Sequence, residues 1–185
     1  EGGGIVQEIN PSFEKEEVSS VFSRSEALVR EYPSSYSLIL SLSLVLESQC
    51  TIKDIPDRDK YDSWIENHAR ILLESGVESI RLQGADLLFN LYMRQKRYDE
   101  AEKCLEHFSL QNPERKRKKA SIYVEKGEYE EAFKALEETL FSLGQSIEAT
   151  LNEIYMLEMK TGAYDKAQYI LRKEETLADL LDRGT

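Results

Sequence analysis

The sequence predicts an all-α protein: an antiparallel stack of helix pairs forming a curved solenoid, about five pairs in all, with the first incomplete. Three observations lead there. The tetrapeptides Tyr98-Asp99-Glu100-Ala101, Tyr129-Glu130-Glu131-Ala132 and Tyr164-Asp165-Lys166-Ala167 echo one another at separations of 31 and 35 residues, and self-similarity at such a period marks a stacked architecture. Each follows an apolar-periodic segment and a short turn (Lys96-Arg97, Lys126-Gly127-Glu128, Thr161-Gly162-Ala163) and opens a second segment of the same kind. The repeats contain no stretch that alternates with the period of a strand.

Taken in order, residues 1–11 carry Gly2-Gly3-Gly4 and little periodicity, and read as a linker or the edge of a longer chain. Asn10-Pro11-Ser12 offers an N-cap and a proline to start a helix that runs to about Glu31, through Val18, Val21, Phe22, Leu28 and Val29. The repeat domain therefore spans 12–185. Tyr36 to Glu47 is apolar on more than one side, the pattern of an inner helix. Gln49 to Asp59, with Pro56 and several charges, breaks the period and reads as an inserted loop, either a spacer or a functional lid. Tyr61 to Glu74 forms the next helix, with Gly76 placed to cap it. Helices follow at 78–95, 98–110, 113–126, 129–142, 146–161 and 164–181, Gly144 separating the two before the last. Leu177, Leu180 and Leu181 leave the end of the final helix apolar, where a capping helix is normally polar.

Composition narrows the function. A net charge of -11 opposes a grip on nucleic acid by this chain itself, because phosphate binding calls for a basic face. Two cysteines, Cys50 and Cys104, have no metal-ligand spacing and suit a reducing compartment, so a cytoplasmic location is expected. No apolar run is long enough to span a membrane. There is no phosphate-binding glycine loop, no nucleophile motif and no ligand cluster around His68 or His107. No catalysis, metal or cofactor is expected, and His68 reads as a side chain packed beside the apolar stripe of its helix.

Arg115, Lys116, Arg117, Lys118 and Lys119 stand out, because they follow the helix start Asn112-Pro113-Glu114 and so crowd cations at the positive end of a helix dipole. Either acidic residues on neighbouring helices offset them, or an anionic ligand, nucleic acid or acidic partner does.

From Ala85 to Pro113 the unit resembles a tetratricopeptide repeat: Leu88, Phe89 and Tyr92 pack the first helix, Tyr98 and Ala101 open the second, Leu105 and Phe108 continue its buried face and Pro113 ends it. In that pattern the small Ala101 lets the paired helices approach. The register departs at the basic run, where Lys116 and Lys119 fall at positions that are normally large and buried. A second resemblance rests on Asn112 to Tyr123, Gly127 to Ala135, Glu137-Glu138, Leu140-Phe141, Tyr155-Met156-Leu157 and Asp165-Lys166-Ala167, which look like the C-terminal region of Xre-type helix-turn-helix transcriptional regulators. It implies a regulatory, oligomerising domain whose DNA contact lies in a separate N-terminal domain absent from this chain. The other expectation is a stand-alone scaffold for protein–protein interaction.

The tetratricopeptide resemblance also implies a concave groove lined by first-helix residues. These are Asp86, Asn90, Met93 and Arg94, then Arg117, Ser121 and Val124, then Asn152, Met156, Met159 and Lys160. Such a surface suits an extended peptide or protein: amides for its backbone, methionines for adaptable apolar contact and cations for a carboxylate. The surface could equally pack against the chain's own 49–59 loop. The apolar end of the last helix implies a homodimer closed by a two-fold axis.

Overall fold

The computed structural model describes residues 17–182 and is all-helical over them, without a strand. Eight α-helices follow in order: α1 (Val18–Glu31), α2 (Tyr36–Ile52), α3 (Asp59–Leu72), α4 (Glu78–Arg94), α5 (Tyr98–Cys104, extended by a 3-10 turn Leu105–His107), α6 (Pro113–Lys126), α7 (Tyr129–Lys160) and α8 (Tyr164–Asp182). The chain divides into two compact units, Glu1–Ser109 and Leu110–Thr185.

In the first unit α1 packs on α2, α2 on α3 and α4, α3 on α4, and α4 on α5 and its 3-10 extension. Leu38, Leu42 and Leu46 of α2 meet Val18 and Val21 of α1 and Tyr61, Trp64 and Ile65 of α3 in one buried cluster. Phe22 sets its edge against Tyr61, with ring centroids 5.2 Å apart. Serines within the buried helices are satisfied locally: Ser25 Oγ donates to the Val21 carbonyl and Ser43 Oγ to the Ile39 carbonyl, both at 2.8 Å. In the second unit α7 packs against both α6 and α8, each joined to it by a tight turn.

Those turns share one construction. Lys96, Gly127 and Gly162 all take a left-handed φ, of 58°, 78° and 75°. In each, the next residue's N–H reaches a carbonyl five positions back: Arg97 to Tyr92, Glu128 to Tyr123 and Ala163 to Glu158, at 2.8, 2.8 and 2.9 Å. The left-handed residue itself donates to a carbonyl three back. This Schellman arrangement satisfies carbonyls that a helix end leaves open. Two residues later the next helix starts, at Tyr98, Tyr129 and Tyr164, and the alanines Ala101, Ala132 and Ala167 are all buried. Asp54, at φ 47°, closes α2 in the same way, with Ile55 N–H donating to the Cys50 carbonyl.

Several expected boundaries move. Residues 129–142 and 146–161 are one helix of 32 residues rather than two broken at Gly144. A helical glycine costs only about 1 kcal/mol; no proline or left-handed residue follows Gly144, so nothing ends the helix there. The helix expected over 98–110 tightens into a 3-10 turn after Cys104. The inserted loop is shorter than 49–59, because α2 continues to Ile52. Gly76 does not cap the helix before it: that helix ends at Leu72, Gly76 has no left-handed φ, and Ser75 Oγ accepts from Val77 N–H. The expected linker, the start at Asn10-Pro11-Ser12 and the side chains of Leu180 and Leu181 lie outside the described residues.

Two substitutions test this packing. An ideal Cβ on Gly84 of α4 would stand 2.7 Å from Leu72 Cβ and 3.2 Å from the Ala69 carbonyl oxygen of α3. Gly84→Ala should therefore destabilise by about 1–3 kcal/mol despite its better helix propensity. Lys96→Gly should relieve an unfavourable φ and stabilise by about 0.5–1 kcal/mol. Urea titration reads both. Equal stability of G84A and wild type would mean that α3 and α4 do not approach this closely.

Candidate functional surfaces

The first unit concentrates its polar groups where α2, α3, α4 and α5 present acids and arginines to one another. Asp62 and Glu66 stand one turn apart on α3, so both carboxylates share a face. Arg94 bridges from the end of α4, with Nη2 2.8 Å from Asp62 Oδ1 and Nη1 2.8 Å from Glu47 Oε1 of α2. Arg58 also joins these acids: Nη2 lies 2.7 Å from Glu47 Oε2 and Nε 3.4 Å from Asp62 Oδ1. Gln95 Nε2 donates to Asp62 Oδ2 at 3.3 Å.

One turn on, Glu66 accepts from Arg70 Nη2 at 2.7 Å, from Tyr92 Oη at 2.9 Å and from Arg97 Nη1 at 2.9 Å. Arg97 lies over the Tyr92 ring, 4.4 Å from its centroid, and reaches Glu100 of α5 at 3.1 Å. Burial raises the Glu66 carboxyl pKa, but the hydrogen bonds from Arg97, Arg70 and Tyr92 outweigh it and bring it down to about 2. Burial, then the bond to Glu66, pushes the Tyr92 phenol up to about 12. The four carboxylates Glu47, Asp62, Glu66 and Glu100 face the four guanidiniums of Arg58, Arg70, Arg94 and Arg97. Their charges cancel, and the cluster fastens four helices together. A depression of about 230 Å³ beside it is lined by Arg70, Tyr92, Glu100, Lys103, Cys104 and His107, among others.

Of the groove residues expected in this unit, Asp86 and Asn90 are joined by a 3.3 Å hydrogen bond from Asn90 Nδ2. Met93 is half-buried, and the Arg94 charge is committed to Glu47 and Asp62. His68 stacks on Trp64 at 3.9 Å between ring centroids, its Nδ1 2.7 Å from the Trp64 carbonyl oxygen. It is a packed side chain.

In the second unit Arg117, Ser121 and Val124 lie along α6 and Asn152, Met156, Met159 and Lys160 along the end of α7. Asn152, Met156 and Lys160, four residues apart, line one open depression of about 380 Å³ together with Glu153 and Leu157. The basic run has acidic partners close by. Lys116 Nζ lies 2.9 Å from Glu138 Oε2 of α7, Arg117 pairs with Glu114, and Lys119 Nζ sits 5.7 Å from the Tyr123 ring centroid. Asn112 caps α6 as expected, accepting from Glu114 N–H at 3.0 Å. Lys116 and Lys119 are half-buried.

The surface that sequence reasoning missed is apolar. Among the described residues of the second unit the buried hydrophobic side chains are Ala120, Ile122, Ala132 and Ala167, whereas sixteen large apolar side chains are exposed. The helices of this unit therefore leave many large apolar side chains partly uncovered. Among the described residues no group of three or more His, Cys, Asp or Glu is placed to hold a metal ion, and no helix is long and apolar enough to cross a membrane. Compared with known proteins, the chain matches no family model, no curated protein and no solved structure.

The Glu66 cluster makes stability depend on acid. The folded carboxyl takes up its proton near pH 2 and the unfolded one near 4.5, so its contribution is complete above about pH 5 and is lost as pH falls through 2. Glu66→Gln should cost about 1–3 kcal/mol at pH 7. That deficit should shrink between pH 4.5 and 2 in urea titrations, and a deficit independent of pH would remove the carboxylate from this role.

Proposed function

We propose that this chain is the regulatory and self-associating domain of a helix-turn-helix transcriptional regulator: a tetratricopeptide-like, protein-binding module and not an enzyme. The observation that carries this reading is that, among the described residues of the second unit, sixteen large apolar side chains are exposed and four hydrophobic ones are buried. Exposed apolar surface on this scale marks a site for a partner. The ionic groups are spent on one another in a neutral cluster, which favours a structural role for them over acid–base chemistry. Three helix–turn–helix junctions of one construction support the repeat reading. In this reading DNA contact falls to a separate basic segment of the regulator, in keeping with the acidic charge of this chain.

The peptide site in this reading is the end of α7. Asn152 offers an amide to a peptide backbone, Met156 an adaptable apolar contact and Lys160 a cation for a carboxylate, all beside one depression. Selection from a displayed random-peptide library should yield sequences that bind with micromolar Kd in calorimetry. Asn152→Ala combined with Met156→Ala should weaken them at least tenfold. Failure to select any binder, or binders indifferent to both substitutions, would overturn this assignment.

A further inference from the structure

The exposed apolar residues of α7 are not scattered. Seven of the eleven large ones fall, from Phe133 on, at alternating steps of three and four residues, the heptad spacing of a helix that packs along another helix. Phe133, Leu140, Ile147 and Ile154 occupy one heptad position, and Leu136, Leu143, Thr150 and Leu157 the other. The seven apolar members are between 39% and 68% exposed. The buried residues of α7 are small ones: Ala132, Thr139 and Gly144. Neighbouring helices therefore cover the small residues of α7 and leave its large-residue stripe open.

We propose that this stripe is the contact surface of a two-fold homodimer, in which α7 of one copy lies along α7 of the other. This deepens the self-association in the proposed function and does not depend on peptide binding. Three features select a second copy as the occupant. In parallel pairs of helices, β-branched residues at one heptad position with leucine at the other favour two strands; Ile147 and Ile154 with Leu143 and Leu157 follow that pattern, and Phe133 and Leu140 continue the first row toward the start of the helix. The seven uncovered apolar side chains are spread over residues 133–157, about seven helical turns, so each copy offers an apolar contact along most of the helix. Charge also permits it: in a chain that is 32% charged, residues 139–151 carry a single charge, Glu148, so two acidic copies can meet along this stretch without opposing their like charges. A two-fold axis closes such a contact and leaves no unpaired stripe to propagate a fibre.

The test is sedimentation equilibrium on the whole chain at tens of micromolar, with circular dichroism to confirm that helix content is kept. The wild type should be a dimer. Leu140→Glu combined with Ile147→Glu should be monomeric, with at least a hundredfold weaker association and unchanged helix content. Phe141→Ser, on the same helix and equally exposed but off the stripe, should remain a dimer. If the glutamate pair loses helix content, Leu140→Ala alone should still weaken association at least tenfold. A monomeric wild type overturns the proposal, because the stripe is then covered within the chain or awaits a different protein. A dimer that survives the folded glutamate pair, or is lost equally with Phe141→Ser, also overturns it. Leu157 borders both surfaces, but neither Leu140 nor Ile147 lines the depression at the end of α7, so selected peptides titrated against the glutamate pair report on that depression alone and the two readings fail separately.

Discussion

The carbonyl groups that open at the end of a helix must find donors, and this chain meets that demand with one device at four places. A residue in the left-handed conformation turns the backbone so that the following N–H groups close the last helical turn. Because this happens at Lys96, Gly127 and Gly162 two residues ahead of Tyr98, Tyr129 and Tyr164, each new helix leaves at a set point. The alanine three positions into it is then buried. Turn chemistry thus fixes which face of each second helix is inside, and the rest of the packing follows. Lys96 shows how strict the demand is, since a side chain tolerates a conformation that glycine takes without strain at the other two junctions.

The ionic cluster of the first unit has a different logic. Its members are drawn from positions 47 to 100, so the fold must assemble before the charges meet. Surface ion pairs are each worth little, but Asp62 is buried and Glu66 accepts three donors, which places them among the pairs that are expensive to break one partner at a time. Such a cluster specifies the order of α2, α3, α4 and α5 more than it drives their association. The hydrophobic residues of α1, α2 and α3 supply that drive, through Leu38, Leu42, Leu46, Trp64 and Ile65.

The tetrapeptide repeats, the glycines and the proline at Pro113 made the helix–turn–helix junctions legible in the sequence, because each acts through its own backbone. The N-cap at Asn112 was legible for the same reason. What depended on distant partners was not. The pairing of Arg94 with Glu47 spans 47 residues, and no local pattern marks it, so Arg94 reads as a groove cation until α2 is set beside α4. Gly144 misled in the other direction: glycine often follows a helix, but its effect depends on the φ it adopts. Reading it as a break also hid the heptad spacing across residues 133–157, since a stripe divided between two helices has no length to notice. Lys116 shows the middle case, where the surplus of acid was visible in the composition but its partner, Glu138, was not.

The long helix α7 serves as the second member of one hairpin and the first member of the next. In a stack of separate hairpins, opening at one end can halt at the first turn it meets, and stability is a sum over neighbours. Here the 32 residues between Tyr129 and Lys160, about 48 Å of uninterrupted backbone hydrogen bonding, contain no such stopping point. Detaching α6 or α8 exposes one half of a helix whose other half holds the remaining partner, so fraying on either side passes directly along the shared rod. The second unit is therefore built to melt as a single cooperative block.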